Sequence, residues 1–306
     1  MHKLAFIYPG QGAQKAGMGA DFYENSPAAG RLFDEACEAL DFDLKEICFK
    51  ENEKLNETQY TQPAMVTTCL AMTRVLTERG VRPDMTAGLS LGEYAAVAAA
   101  GGLKELDAIL LVRKRGLLME HAVPAGEGAM CAVLGMTGEA LERELKGMAD
   151  VTIANYNCPG QMVITGKTEA VRAAAEHLKA VGAKRTIPLN VSGPFHSPFL
   201  QTAGEELRKE IEKTKLHPLR IPYVANVTAE KVERREEIAD LLSKGVSSPV
   251  KWQQTMEYMI AEGVNTFVEI GPGRTLSGFL KKINTEVSVY HISSWEDAER
   301  AAGELC

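Results

Sequence analysis

Residues 85–102, MTAGLSLGEYAAVAAAGG, decide how this chain is read. Residues 85–88 read as a short strand and the Ala-rich segment after it as a helix. Their junction is Gly88-Leu89-Ser90-Leu91-Gly92, a G-x-S-x-G sequence. A serine on a sharp strand-to-helix turn has strained backbone angles, and glycines two residues to either side let the crossing chains pass closely. Its hydroxyl is presented at a helix N-terminus, where amides and the helix dipole favour a developing anion. Ser90-Leu91-Gly92-Glu93 is also S-x-x-E, an ordinary capping box, so the motif alone leaves both readings open. The strand-turn-helix context favours a nucleophile.

Outward from this turn, strands and helices alternate. Residues 4–8 read as a strand running into the glycine-rich turn Pro9-Gly10-Gln11-Gly12, followed by helices over 26–40 and 62–79. Residues 106–121 carry apolar positions with basic residues between them, the pattern of an amphipathic helix with a solvated basic face. From 126 to 192 the order becomes β-α-β-β-α-β: strand 129–134, helix 138–147, strands 151–156 and 161–165, helix 169–181, strand 185–189. That is the order of a split-βαβ, ferredoxin-like module. Helix 202–215, strand 221–226, helix 252–263 and strand 266–270 resume the alternation, and a helix follows to 282. The expected class is α/β, a large domain of residues 1–125 and 193–306 interrupted by a small one, 126–192.

Composition narrows the function classes. The 306 residues suggest one large or two linked domains, at about 150 residues per domain. The 34 Lys and Arg against 41 Asp and Glu give a charge of −7, which disfavours a duplex-DNA binder. Six cysteines without C-x-x-C spacing predict core thiols in a reducing compartment and no zinc site. The five-residue apolar run at 4–8 is too short for a signal peptide, and no stretch is long enough to span a membrane. A cytoplasmic protein with no metal, nucleic-acid or membrane partner is expected.

A nucleophilic serine needs a base. His2 is terminal, His121 and His177 fall among charged helix neighbours, and His217 and His291 have no distinguishing context. His196 stands in Ser192-Gly193-Pro194-Phe195-His196-Ser197-Pro198, a rigid turn where the inserted module rejoins the main domain, and domain junctions form clefts. The turn after the first strand is not a dinucleotide fingerprint, since Lys15 occupies the place of the third glycine. Its other use is to bring backbone N–H groups to a reacting oxygen, completing an oxyanion hole with the amide of Leu91. In Arg113-Lys114-Arg115, an arginine facing the cleft would hold a carboxylate bidentately.

Seven motifs carry a family likeness. Tyr8-Pro9-Gly10-Gln11-Gly12, GLSLGEY at 88–94, Arg115-Gly116, NYNCPGQMVITG at 155–166, GPFHSP at 193–198, SPVKW at 248–252 and EIGPG at 269–273 occur in the order found in malonyl-CoA:acyl carrier protein transacylases. The chain resembles that family from about residue 3 to 285. The resemblance implies an α/β-hydrolase-like large domain with an inserted ferredoxin-like subdomain, and ping-pong transfer of malonyl from malonyl-CoA to acyl carrier protein. It implies Ser90 as nucleophile, His196 as general base, the Gln11 and Leu91 amides as oxyanion hole and Arg115 as partner of the malonyl carboxylate. Phe195 resembles the malonyl-selective form of its motif. Gln62, Asn157 and Gln161 match positions near the cleft. No cofactor is implied beyond the substrate CoA and the carrier's phosphopantetheine arm.

Two departures stand out. The family usually has histidine directly before the nucleophile, where this chain has Leu89. The carbonyl that orients the catalytic histidine usually comes from glutamine, where this chain has Gly245. The alternatives are a malonyl-specific acyltransferase of a polyketide pathway, a same-fold acyl hydrolase and a silent carrier-docking domain. An intact Ser90, His196 and Arg115 set argues against the last two. Known carriers are acidic, so a basic docking patch is expected among Lys184, Arg185, Arg274, Lys281 and Lys282, on a monomer.

Overall fold

The computed structural model describes residues 3–191 and 193–306; Met1, His2 and Ser192, the first residue of the histidine turn, lie outside them. Its strands are β1 (Lys3–Tyr8), β2 (Met85–Gly88), β3 (Gly128–Leu134), β4 (Val151–Cys158), β5 (Gln161–Lys167), β6 (Arg185–Pro188), β7 (Tyr223–Val224), β8 (Lys231–Val232), β9 (Val264–Ile270) and β10 (Ser288–Ile292). Six of them form one sheet in the order β10-β9-β1-β2-β7-β8, parallel except for β8. Residues 4–8 are all buried, because side chains alternate between two covered faces. Leu4, Phe6 and Tyr8 pack with helix Thr58–Glu78, and Ala5 and Ile7 pack with Trp252, Met256 and Phe279.

The β-α-β-β-α-β stretch forms a second, antiparallel sheet, in the order β4-β5-β3-β6. Helices Gly138–Leu145 and Thr168–Ala180 bury Leu141, Val171 and Leu178 against Cys131, Val133 and Ile164, so both cover one face. Main-chain bonds tie this sheet to the first: Val250 N donates to Ala154 O at 2.8 Å and Tyr156 N to Val250 O at 2.9 Å. The SPVKW motif is thus a strap between the sheets.

Several elements lie beyond the sequence reading. The strand expected over 221–226 shrinks to the two residues of β7, since β8 pairs with it and the chain then turns away. Helices Ala20–Asn25, Leu44–Phe49, Arg235–Lys244 and Trp295–Leu305 were not anticipated. Helix Glu105–Glu120 departs from the expected solvated basic face, because Arg113 and Arg115 are both buried in it. No helix among the described residues is long and apolar enough to cross a membrane.

The carboxyl ends of the parallel strands open onto one edge, where ligands of open α/β sheets bind. Chains cross there at the limit of contact. A Cβ on Gly88 would lie 2.0 Å from the carbonyl carbon and oxygen of Gly92, and one on Gly92 would lie 2.3 Å from Tyr8 O. Overpacking of a core ordinarily costs about 1–3 kcal/mol, and main-chain atoms have no rotamer to relieve it. Gly88→Ala is therefore expected to lose more than about 3 kcal/mol in urea unfolding, and a loss under about 1 kcal/mol would contradict the crossing.

Candidate active site

β1 and β2 run in register from Ala5↔Met85 to Tyr8↔Gly88, so the turns that follow them lie side by side. Leu89 N donates to Tyr8 O at 2.9 Å, and the next residue, Ser90, takes a left-handed backbone with φ 52°. Helix Gly92–Ala99 begins immediately afterwards. Its N-cap makes no side-chain hydrogen bond, and Ser90 N donates instead to Asn226 Oδ1 at 2.6 Å. The capping-box reading of Ser90 and Glu93 is thereby set aside.

His196, also left-handed with φ 60°, is buried with Nε2 2.7 Å from Ser90 Oγ. Its Nδ1 lies 2.8 Å from Gly245 O, at the C-cap of helix Arg235–Lys244. A carbonyl only accepts, so Nδ1 carries the proton, which leaves Nε2 of the neutral ring to accept the serine O–H. Burial and the nearby Arg115 charge push the imidazole pKa down to about 4, against a smaller upward pull from Gly245 O. The ring is neutral across ordinary pH, as a proton acceptor must be.

The basic triplet divides three ways. Arg113 makes paired bonds to Asp41 at 3.1 and 2.9 Å between the rings of Phe42 and Tyr60, a packing role. Lys114 is exposed. Arg115, 3% exposed, donates from Nη2 to Ser90 Oγ at 3.1 Å and passes over the Tyr94 ring. Its helix comes close enough because Gly116 has no side chain; a Cβ there would meet Gln59 Cα and Thr58 O at 2.9 Å. Among the described residues Arg115 makes no salt bridge, and its Nε has no acceptor. A buried cation of this kind is costly unless an anion joins it.

The other expected residues are placed as follows. Gln11 is held by its side chain to Thr58 Oγ1 at 3.0 Å, in the turn whose Gly10 abuts Leu89 O. Among the described residues neither the Gln11 nor the Leu91 N–H has an acceptor. Gln62 is buried with Nε2 on Met119 Sδ and Oε1 unpartnered, and Asn157 is buried with Oδ1 unpartnered. Phe195 is buried beside Gly193. Leu89 packs into the second core cluster. Gln161 instead accepts from Lys282 at 3.2 Å on the surface. The five cations expected as one patch separate: Lys184 precedes and Arg185 begins edge strand β6, whereas Arg274 caps and Lys281 and Lys282 lie on helix Thr275–Ile283, which packs against the opposite edge, β4.

Two residues escaped the sequence reading. Asn226, in a loop after β7, bonds both Ser90 N and Gly88 O, and its own N–H donates to Glu93 Oε1 at 3.1 Å. Glu93 is buried at 2% exposure, and desolvation pushes its carboxyl up to about 8, so at neutral pH it offers Arg115 little negative charge. Only the E of S-x-x-E was a signal, and it pointed to a cap.

A hydroxyl shared between a neutral imidazole and a guanidinium, on a strained turn at a helix start, suits acyl transfer through serine. The family described as acyl transferase domain matches residues 5–295. The chain belongs to that acyl transferase family. The malonyl CoA-acyl carrier protein transacylase of Bacillus subtilis is 46% identical over 310 residues, covering 100% of this chain and 98% of that protein. A Staphylococcus aureus protein of the same name is 41% identical over 304 residues, covering 98% of each. Among solved structures, the malonyl CoA-acyl carrier protein transacylase of Clostridium perfringens matches with TM-score 0.95 and 42% identity, over 99% of this chain and 97% of that one. A malonyl-transacylase solved in complex with its type II PKS acyl-carrier protein matches with TM-score 0.95 and 37% identity, over 99% of each chain. The protein is an acyltransferase.

The depressed pKa of His196 has a consequence for stability. Its folded-state value, about 4, lies below the ordinary 6.5, so the unfolded chain takes up the proton first as pH falls. The acyltransferase is expected to lose stability relative to His196→Gln between pH 6.5 and about 4, and to show a constant difference above that window. Urea midpoints across pH measure it. A difference that does not change with pH would contradict the buried, neutral imidazole.

Proposed function

We propose that this acyltransferase moves a malonyl group from malonyl-CoA to the phosphopantetheine thiol of an acyl carrier protein, by a ping-pong route through a malonyl ester on Ser90. In the first half-reaction His196 Nε2 takes the Ser90 proton as Oγ bonds to the thioester carbonyl carbon. The oxyanion faces the N–H groups of Gln11 and Leu91. Collapse breaks the C–S bond, and the CoA thiol leaves with the proton from His196. In the second half the carrier thiol gives its proton to His196 and its sulfur attacks the ester, returning Ser90 to its hydroxyl form.

The observation that carries this reading is Arg115, a buried guanidinium without a salt bridge among the described residues, 3.1 Å from the nucleophile. A malonyl group carries a free carboxylate just one methylene beyond the carbon under attack, and an acetyl group has none. The pairing also orients the acyl group for a thiol while the buried site disfavours water, which supports transfer over hydrolysis. It further prepares the base: an anion on Arg115 offsets the positive charge that depresses His196, and the imidazole becomes more basic once substrate is bound. Phe195 shapes the acyl pocket, and the unpartnered atoms of Gln62 and Asn157 supply polar contacts to the substrate.

The strand order β4-β5-β3-β6 supports reading residues 126–192 as a ferredoxin-like subdomain, inserted into an α/β-hydrolase-like domain of 1–125 and 193–306. The carrier arm enters between them. Arg274, Lys281 and Lys282, which follow the carboxyl end of β9, form the docking surface for an acidic carrier. The scheme draws on no metal or resident cofactor, and a cytoplasmic monomer suits it, with all six cysteines free.

Intact-protein mass spectrometry tests the reading. Malonyl-CoA is expected to leave a malonyl adduct that is missing in Ser90→Ala and is discharged by a carrier-protein thiol. An adduct that persists in Ser90→Ala, or that only water removes, would overturn it.

A further inference from the structure

We propose that Asn226 is a positioning residue: with its main-chain N–H held by Glu93, its side-chain amide holds the strained turn so that the Ser90 hydroxyl and the Leu91 amide face the same acyl carbon. The inference rests on the reading of Ser90 as nucleophile and adds a residue to that machinery.

The need for such a brace follows from the sheet. β2 has β1 on one side along its whole length, but on the other side β7 pairs only at Thr86↔Tyr223 and Ala87↔Val224. The ladder therefore stops one residue before Gly88. Gly88 O and Ser90 N are left at the strand-to-helix junction, outside both the sheet on that side and helix Gly92–Ala99. Buried main-chain groups of this kind require partners. The Asn226 side chain takes the place of the missing strand: Nδ2 donates to Gly88 O at 2.6 Å and Oδ1 accepts from Ser90 N at 2.6 Å. One planar group with a donor and an acceptor side by side matches this pair of backbone groups, and of the side chains only Asn and Gln carry it. The orientation of the amide is fixed by its partners, since a carbonyl cannot donate and an N–H cannot accept.

The brace is itself anchored twice. Asn226 N donates to Glu93 Oε1, on the first turn of the helix that follows the serine, so one residue ties positions 88, 90 and 93 of the elbow. Asn226 O accepts from Lys251 N at 3.0 Å, in the strap next to Val250 that joins the two sheets. That strap follows Gly245, whose carbonyl orients His196. Asn226 thus links the segment carrying the nucleophile to the segment that aims its base, while touching neither reacting oxygen nor imidazole. Ser90, at φ 52°, occupies a backbone region that a non-glycine residue leaves unless its surroundings hold it.

The test uses the full-length protein and a fluorophosphonate probe, which forms a Ser90 Oγ–P bond as fluoride leaves and so reads the nucleophile and its geometry without malonyl-CoA. Asn226→Ala is expected to slow labelling by about 10²-fold, the loss typical of a misplaced reacting group. Asn226→Asp is close in shape and keeps the acceptor for Ser90 N, but turns an oxygen toward Gly88 O; a slowing of at least about tenfold is expected. In both, the KM for malonyl-CoA is expected to stay within about threefold of the parent, because Arg115 is untouched. Labelling of folded Asn226→Asp within about twofold of the parent would overturn the brace, as would a rise in KM that accounts for the whole loss of turnover. Because the probe needs no malonyl-CoA, failure of the brace and failure of the malonyl reading produce different results.

Discussion

A guanidinium without an acidic partner among the described residues, buried 3.1 Å from a serine hydroxyl, is the constraint around which this site is arranged. Taking a cation out of water costs several kcal/mol unless charge or hydrogen bonds offset it. Desolvation lowers the Arg115 pKa, while a guanidinium in a protein keeps its proton. The fold could have neutralised it with Glu93, which is buried close by. Instead Glu93 is itself pushed up to about 8 by burial and spends one oxygen on the Asn226 amide. Charge is left over, and it points at the Ser90 hydroxyl.

The His196 imidazole responds to the same charge. Among the described residues His196 has no carboxylate behind it, only main-chain groups of Gly245 and Ser248, whose upward pull is smaller than the effects of burial and Arg115. Together with burial, Arg115 keeps the ring neutral in the free protein, which preserves it as an acceptor. An acyl group bearing a carboxylate would therefore do two things on arrival: satisfy the arginine and strengthen the base. Specificity and activation would then come from a single ion pair, which is how differential binding of one substrate can raise its rate as well as its affinity.

Much of this was legible in the sequence where local chemistry has one solution. G-x-S-x-G between a strand and a helix fixed the elbow, because no side chain fits where a Cβ would lie 2.0 Å from another backbone. The period-two and helical patterns of 126–192 located the second sheet to within a few residues of β3 to β6. What was missed depends on contacts between distant segments. The resemblance singled out Arg115, but nothing in the sequence showed that Arg113 would be buried against Asp41 while Arg115 reaches Ser90. Asn226 lies in VANVT, 136 residues from Ser90, with no pattern to mark it. Position along the chain likewise does not say that β6 and helix Thr275–Ile283 lie at opposite edges of a sheet, which parts Lys184 and Arg185 from Lys281 and Lys282.

The claim that the unpaired charge of Arg115 selects the acyl group is tested most directly by one ratio, kcat/KM for malonyl-CoA over that for acetyl-CoA, in the parent protein and in Arg115→Ala. The parent is expected to favour malonyl strongly, and the substitution to reduce that preference by about 10²-fold or more, as when a site built to pair a polar group loses its partner. A ratio that survives Arg115→Ala within about threefold, or a parent that loads acetyl as readily as malonyl, would contradict it.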